Sequence, residues 1–212
     1  MKSRFPSLGC LPSDIGHIIF CNELLLGSAA LVTKDDVSEK LDFAQRRLSD
    51  VLSLIQRNIL ASELHERQQL VQEFFFHLIG AADVLAQFVN ERRNLGLDSE
   101  VVTISKVAGQ LPPSDPLAAT LRSLYVNVRA RPVPADPYSD EGYLFRAYNY
   151  RHQVTHRRRN PFNFRAGGMP AVSFKLDPRD STSTLSTQSV EEDMRRMLKV
   201  FHDRCNVATS LC

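Results

Sequence analysis

The residues of this chain whose types and spacing suit a reaction are Arg151, His152 and His156, in the run Arg151-His152-Gln153-Val154-Thr155-His156. Imidazole gives and takes protons near neutral pH, and guanidinium grips phosphate or carboxylate oxygens in a planar fork. On a helix, residues four apart lie one turn above each other, so His152 and His156 are neighbours. That spacing also suits a shared metal ion. No carboxylate stands close to the pair in sequence, however, and the adjoining Arg residues repel a cation, so no metal or other cofactor is expected. The alternative for Arg151 is a salt bridge to an acid of a neighbouring helix, Asp83 or Glu91.

The surroundings are basic and aromatic. From Gly142 to Leu176 there is no Asp or Glu, yet Arg146, Arg151, Arg157, Arg158, Arg159, Arg165 and Lys175 all fall there. Tyr143, Phe145, Tyr148, Tyr150, Phe162, Phe164 and Phe174 are interleaved with them. The formal net charge of only +2 therefore hides a strongly uneven distribution.

A helix must carry the three residues, and 100° steps along Asp140–Arg158 give its faces. Leu144, Ala147, Tyr148, Val154 and Thr155 share a stripe, with Arg151 in its middle and Phe145, His152 and His156 on the flank. Arg146, Gln153 and Arg157 are expected to face solvent. His156 falls near the C-terminal end, where the helix dipole favours a cation.

Other helices are expected around it. Lys34 to Leu60 carries Val37, Leu41, Ala44, Leu48, Val51, Leu52, Ile55 and Ile59 on one stripe. Ser62 to Asn94 is apolar almost all round between Phe74 and Val89, interrupted by His77, Asp83 and Gln87, and Gly96 suits its C-cap. Burying such a helix on every side suggests a second subunit, hence a homodimer. Short helices are expected at Glu100–Ala108 and Pro116–Val128. Ser189 and Glu192 have the spacing of a capping box at the start of the last helix. Residues 159–188 read as an irregular insertion, with a short strand or hairpin over Ala171–Leu176. Residues 1–33 read as an N-terminal extension or helix. The fold class expected is all-α, one domain over 1–212 with a four-helix-bundle core.

With 43% hydrophobic and 24% charged residues the chain has ordinary globular composition, which argues against wholesale disorder. Cys10, Cys21, Cys205 and Cys212 form no Cys-x-x-Cys pair and read as reduced thiols. His17, Asn22 and Glu23 break the apolar run Ile15–Val32, so neither a signal peptide nor a membrane span is expected, and the location expected is the cytoplasm. There is no phosphate-binding Gly loop, no nucleophile elbow and no metal box, which leaves most enzyme classes without support.

The motif Arg151-His152-x-x-x-His156, in a helical context, resembles the Arg-polar-x-x-x-His motif of the HEPN superfamily, and Phe74–Gly96 looks like the corresponding part of HEPN-like bacterial proteins. The resemblance covers about half the chain. The family usually has Asn or Asp where His152 stands. The resemblance implies a helical bundle, often dimeric, that cleaves RNA without a metal in a defence or toxin–antitoxin setting, with an antitoxin-like protein as a further partner. Such cleavage uses the RNA's own 2′-hydroxyl, which must lose a proton while the leaving 5′-oxygen gains one and the phosphorane charge is neutralised. The resemblance gives Arg151 the scissile phosphate, His156 the proton transfers, and His152 an orienting or donating role. Arg157, Arg158, Arg159 and Arg146 would then track the RNA backbone, and Tyr148, Phe162 and Phe164 would meet bases. Thr155, Asp83 and His77 would support the site from behind. The alternatives are an HEPN-like module that binds RNA, a nucleotide or a protein without catalysis, and a helical adaptor with no nucleic-acid role.

Overall fold

The computed structural model describes residues 31–56, 64–128, 132–156 and 173–212, all within the unit Leu31–Cys212, with the side chains of residues 55, 56, 64, 65 and 156 left aside. Among the described residues six helices carry the fold: α1 (Lys34–Gln56), α2 (Leu64–Arg92), α3 (Ile104–Gln110), α4 (Pro116–Leu124), α5 (Asp140–His156) and α6 (Val190–Ser210). The class is all-α. Among the described residues the expected strand region yields only one antiparallel bridge, Lys175 with Leu185. The expected N-terminal extension lies outside the described residues over 1–30.

Local chemistry accounts for where the helices start. Thr33 and Asp36 exchange hydrogen bonds at the head of α1, the Thr33 N–H donating to Asp36 Oδ2 at 2.6 Å. The Thr103 and Asp115 side chains accept from backbone N–H groups of α3 and α4, and Pro116 opens α4 where a missing N–H costs nothing. The capping box expected at α6 is present, with Ser189 and Glu192 each accepting from the other's backbone.

The end of α2 differs from expectation. Asn94, not Gly96, is the left-handed cap residue at φ 50°, with the Leu95 N–H reaching back to the Asn90 carbonyl and the Asn94 N–H to that of Glu91. That is a Schellman closure, and Asn tolerates the left-handed region better than most residues. Gly96 is also left-handed, at φ 69°, but serves the turn beyond. There the Asn90 amide donates to the Leu97 carbonyl and accepts from the Leu97 N–H, so the chain leaves α2 in a fixed direction.

The core is where the apolar stripes meet. Val37, Leu41, Ala44, Leu48 and Val51 of α1 are buried, as their spacing predicts. In α2, Phe74, Phe75, Leu78, Ile79, Ala81, Ala82, Leu85, Ala86 and Val89 are buried too. Their cover comes from this chain, because α2 touches α1, α3, α5 and α6. Most of the apolar surface of α2 is therefore covered by this chain, with Phe76, 57% exposed, as the exception. Around it α1 packs on α2 and α6, and α5 packs on α2 and α6.

The segment after residue 172 returns to α5. Phe174 is fully buried against Phe75 and Tyr150. The Tyr150 hydroxyl accepts from the Lys175 N–H and donates to the Lys175 carbonyl. One phenol thus satisfies both backbone groups of a residue that lacks a full sheet partner.

Candidate functional site

Helix α5 opens against its own connector. The Ser139 hydroxyl accepts from the Gly142 N–H at 3.1 Å, and the Gly142 Cα lies so close to the Asp136–Pro137 backbone that a side chain there would collide with it. The helix is then buried on nearly every side, through Tyr143, Leu144, Phe145, Arg146, Ala147, Asn149, Tyr150 and Gln153. Its polar residues follow no single outward stripe, so the faces expected from 100° steps are corrected at three positions.

Arg146 and Gln153, expected in solvent, are buried, and Arg146 is 0% exposed. Its guanidinium donates to Asp193 Oδ1 of α6 at 2.9 Å and lies over the rings of Tyr143 and Tyr138, 4.7 and 5.6 Å from their centroids. It cannot reach RNA. Sequence held a clue to this pair: Asp193 sits on the same stripe as Val190, Met194, Met197 and Phe201, and an acid on an apolar stripe requires a cation opposite. Burial pushes the Asp193 carboxyl above the ordinary range, with Arg146 pulling the other way.

Arg151, expected on the core stripe, lies on the flank with about a third of its side chain exposed. Its Nη2 is 3.8 Å from Asp83 Oδ2 of α2, the pairing that the residue types allow. This is a loose contact, at the outer limit of an ion pair, and Arg151 Nε is buried without a hydrogen-bond partner among the described residues. Although 54% of the Asp83 side chain is exposed, the protein around it still raises the carboxyl's pKa, and Arg151 opposes that shift. The Thr155 hydroxyl donates to the Arg151 carbonyl at 2.7 Å, which fastens Thr155 to the same turn.

Arg151, His152 and Tyr148 line one pocket of about 380 Å³ together with Tyr125, Val126, Asn127 and Val128. The Tyr148 ring meets Tyr125 edge-on at 6.4 Å and lies 5.9 Å from Phe201. Burial pushes its hydroxyl far above the usual range, so it stays a neutral hydrogen-bonding group. The stretch Tyr125–Val128 was not legible as part of the site. It reaches α5 because α4 and α5 both pack on α6, and no spacing rule links the two in sequence.

The remaining candidates divide. His77 is on a different face of α2 from Asp83, stacked on Phe43 of α1 at 5.1 Å, and does not support Arg151. The side chains of His156, Arg157, Arg158, Arg159, Phe162 and Phe164 lie outside the described residues. Among the described residues no group of three His, Cys, Asp or Glu is placed to hold a metal ion, and no helix is long and apolar enough to cross a membrane. Comparison with known protein families, with curated proteins and with solved structures finds no match for the chain.

Proposed function

We propose that this protein is a helical RNA-binding domain whose contact point is the pocket at the C-terminal part of α5. The observation that carries the reading is the convergence of Arg151, His152 and the Tyr148 and Tyr125 rings on one open pocket. A partly exposed guanidinium suits a phosphate, the aromatic rings suit a base, and Asp83 is too loosely paired to compete strongly with a phosphate for Arg151. The acid-free sequence around the pocket supports the same partner.

The second reading is cleavage of that RNA without a metal, and the Arg151–His156 spacing on one helix favours it. On that reading the chain is HEPN-like, works as a homodimer that pairs two copies of the motif, and meets an antitoxin-like protein. Binding takes precedence because most of the α2 surface invoked for the dimer, Phe76 excepted, is covered by the chain itself.

Anisotropy of a labelled single-stranded RNA, titrated at several salt concentrations, tests the first reading. Affinity should fall as salt rises, and Arg151→Gln should weaken it and flatten the slope by about 0.7 per lost phosphate contact. Unaltered affinity in a folded Arg151→Gln protein removes the pocket from the interface. Gel analysis of the same RNA, with EDTA and with a 2′-methoxy substrate, tests the second. His156→Ala should slow cleavage by roughly 10²-fold or more, and a native protein that binds RNA and never cuts it ends that reading.

A further inference from the structure

The α5 pocket holds a cation and an acid side by side. Arg151 lines it, and Oδ2 of Asp83 on α2 lies 3.8 Å from Arg151 Nη2. That is beyond hydrogen-bond range, so the carboxylate lends its charge without occupying a donor of the guanidinium. About a third of the Arg151 side chain and half of the Asp83 side chain face solvent. A ligand that meets the first therefore also meets the field of the second.

Tyr148, one turn before Arg151 on α5, shows how far that field reaches. Burial and then Asp83 push its hydroxyl up, and the opposing pull of Arg151 is weaker than either. Negative charge thus outweighs positive at the Tyr148 end of the lining, and only the surroundings of the guanidinium itself favour an anion. Among the described residues Arg151 is the one permanent cation in that lining. At the Val128 wall the Arg179 guanidinium is already matched by both Asp177 carboxylate oxygens.

We infer that this pocket takes a nucleotide unit bearing a single negative charge, a phosphodiester at Arg151 with its uncharged sugar and base towards Tyr148 and Tyr125, and that Asp83 is the residue that turns away a second charge. The inference rests on the RNA-binding reading and names what the pocket selects: phosphates inside a strand over terminal phosphates and free nucleotides. A phosphodiester carries one charge, whereas a phosphomonoester carries about 1.5–2 at neutral pH. One guanidinium serves the first. The extra charge of the second meets the Asp83 carboxylate, with Arg151 already engaged.

The test titrates the full chain, labelled for NMR, with uridine 5′-monophosphate and with its methyl ester, at low salt and pH 8, well above the second phosphate pKa of about 6. The two ligands differ by one methyl group and one charge. The native protein should hold the ester more tightly, by roughly twofold to fivefold, the scale of a partly exposed charge pair. Asp83→Asn should abolish that preference by strengthening the monophosphate alone, and Asp83→Glu should keep it. His152→Gln should keep it too, since imidazole charge has no part in the argument. Asp83 is half exposed, so its variants should fold, which circular dichroism verifies. Equal affinities in the native protein, tighter binding of the monophosphate, or an unchanged ratio in Asp83→Asn overturns the inference. So does the absence of any shift at Tyr148 or His152 with either ligand. Anisotropy of labelled single-stranded RNA with native and Arg151→Gln protein tells the two failures apart. Binding that depends on Arg151 keeps the RNA-binding reading and rejects only the charge selection, whereas binding that ignores Arg151, or none, rejects both.

Discussion

Removing the Asp193 carboxylate should be among the most damaging single changes to this fold. In Asp193→Ala the Arg146 guanidinium keeps its charge in a site with 0% exposure and loses its 2.9 Å partner. Breaking a buried pair from one side costs about 3–5 kcal/mol. The Tyr143 and Tyr138 rings stabilise the cation by about 0.5–2 kcal/mol, as a cation over an aromatic face does. They hold the cation in both proteins, so the net loss should still reach about 3 kcal/mol. For a chain of this size that is a fall in Tm of roughly 6–12 °C. Urea unfolding followed by circular dichroism measures it directly. The pair itself is incompletely satisfied, as Arg146 Nε and Nη1 and Asp193 Oδ2 have no hydrogen-bond partner among the described residues. Replacing both residues, as Arg146→Met with Asp193→Leu, should therefore recover most of the loss, with a coupling of about 2 kcal/mol or more in the double-mutant cycle. The pH dependence has a definite sign. Burial raises the folded carboxyl above its unfolded value, so the folded state binds the proton more tightly, and stability from this group falls as pH rises through the acid range. Asp193→Asn should lack that fall. An Asp193→Ala protein within about 1 kcal/mol of the native refutes the buried-pair argument, and a native-minus-Asn difference that is flat with pH refutes the raised carboxyl.

Gly142→Ala should destabilise the fold by about 1–3 kcal/mol, because the new methyl would lie 2.7 Å from the Asp136 carbonyl oxygen and closer still to Pro137; a Cm within error of the native refutes the close approach. Ser189→Ala should cost about 1 kcal/mol through loss of the capping box, and Ser189→Asp much less; urea midpoints decide. In a histidine NMR titration His77 should protonate below the ordinary imidazole value, and its contribution should weaken stability as pH falls through that folded value; a normal or raised midpoint contradicts the neutral stack. The Cys205 thiol, pushed up to about 12 by burial, should resist alkylation at pH 8 until urea unfolds the chain, as peptide mass mapping can establish.

The order of the helices was legible because α1 and α6 are amphipathic and because Pro116 and Ser189-Glu192 mark helix starts, whereas the Thr103 cap was passed over and α3 was expected from Glu100. The buried Val37–Val51 stripe followed directly from its spacing. Helix α5 defeated the same method. A helix packed on both sides has no single outward face, so stepping 100° per residue put Arg146 in water when Asp193 waits for it inside. The same error moved Arg151 from the flank to the core. For the pocket, residue types were readable at Arg151, His152 and Tyr148, but the wall Tyr125–Val128 depends on how α4 and α5 share α6. His77 and Asp83, six residues apart on α2, looked like one supporting pair and lie on different faces, beside α1 and α5 respectively.

Arg179 ties the pocket wall to the segment ahead of α6. Its guanidinium is gripped by both Asp177 carboxylate oxygens, rests 4.7 Å from the Phe145 ring centre of α5, and donates to the Val128 carbonyl at 3.3 Å. Val128 is part of the pocket wall. One side chain from the stretch ahead of α6 therefore braces a wall formed some fifty residues earlier in the chain. The Val128 side of the pocket is thus tied, through Arg179, to Asp177, a residue outside the lining.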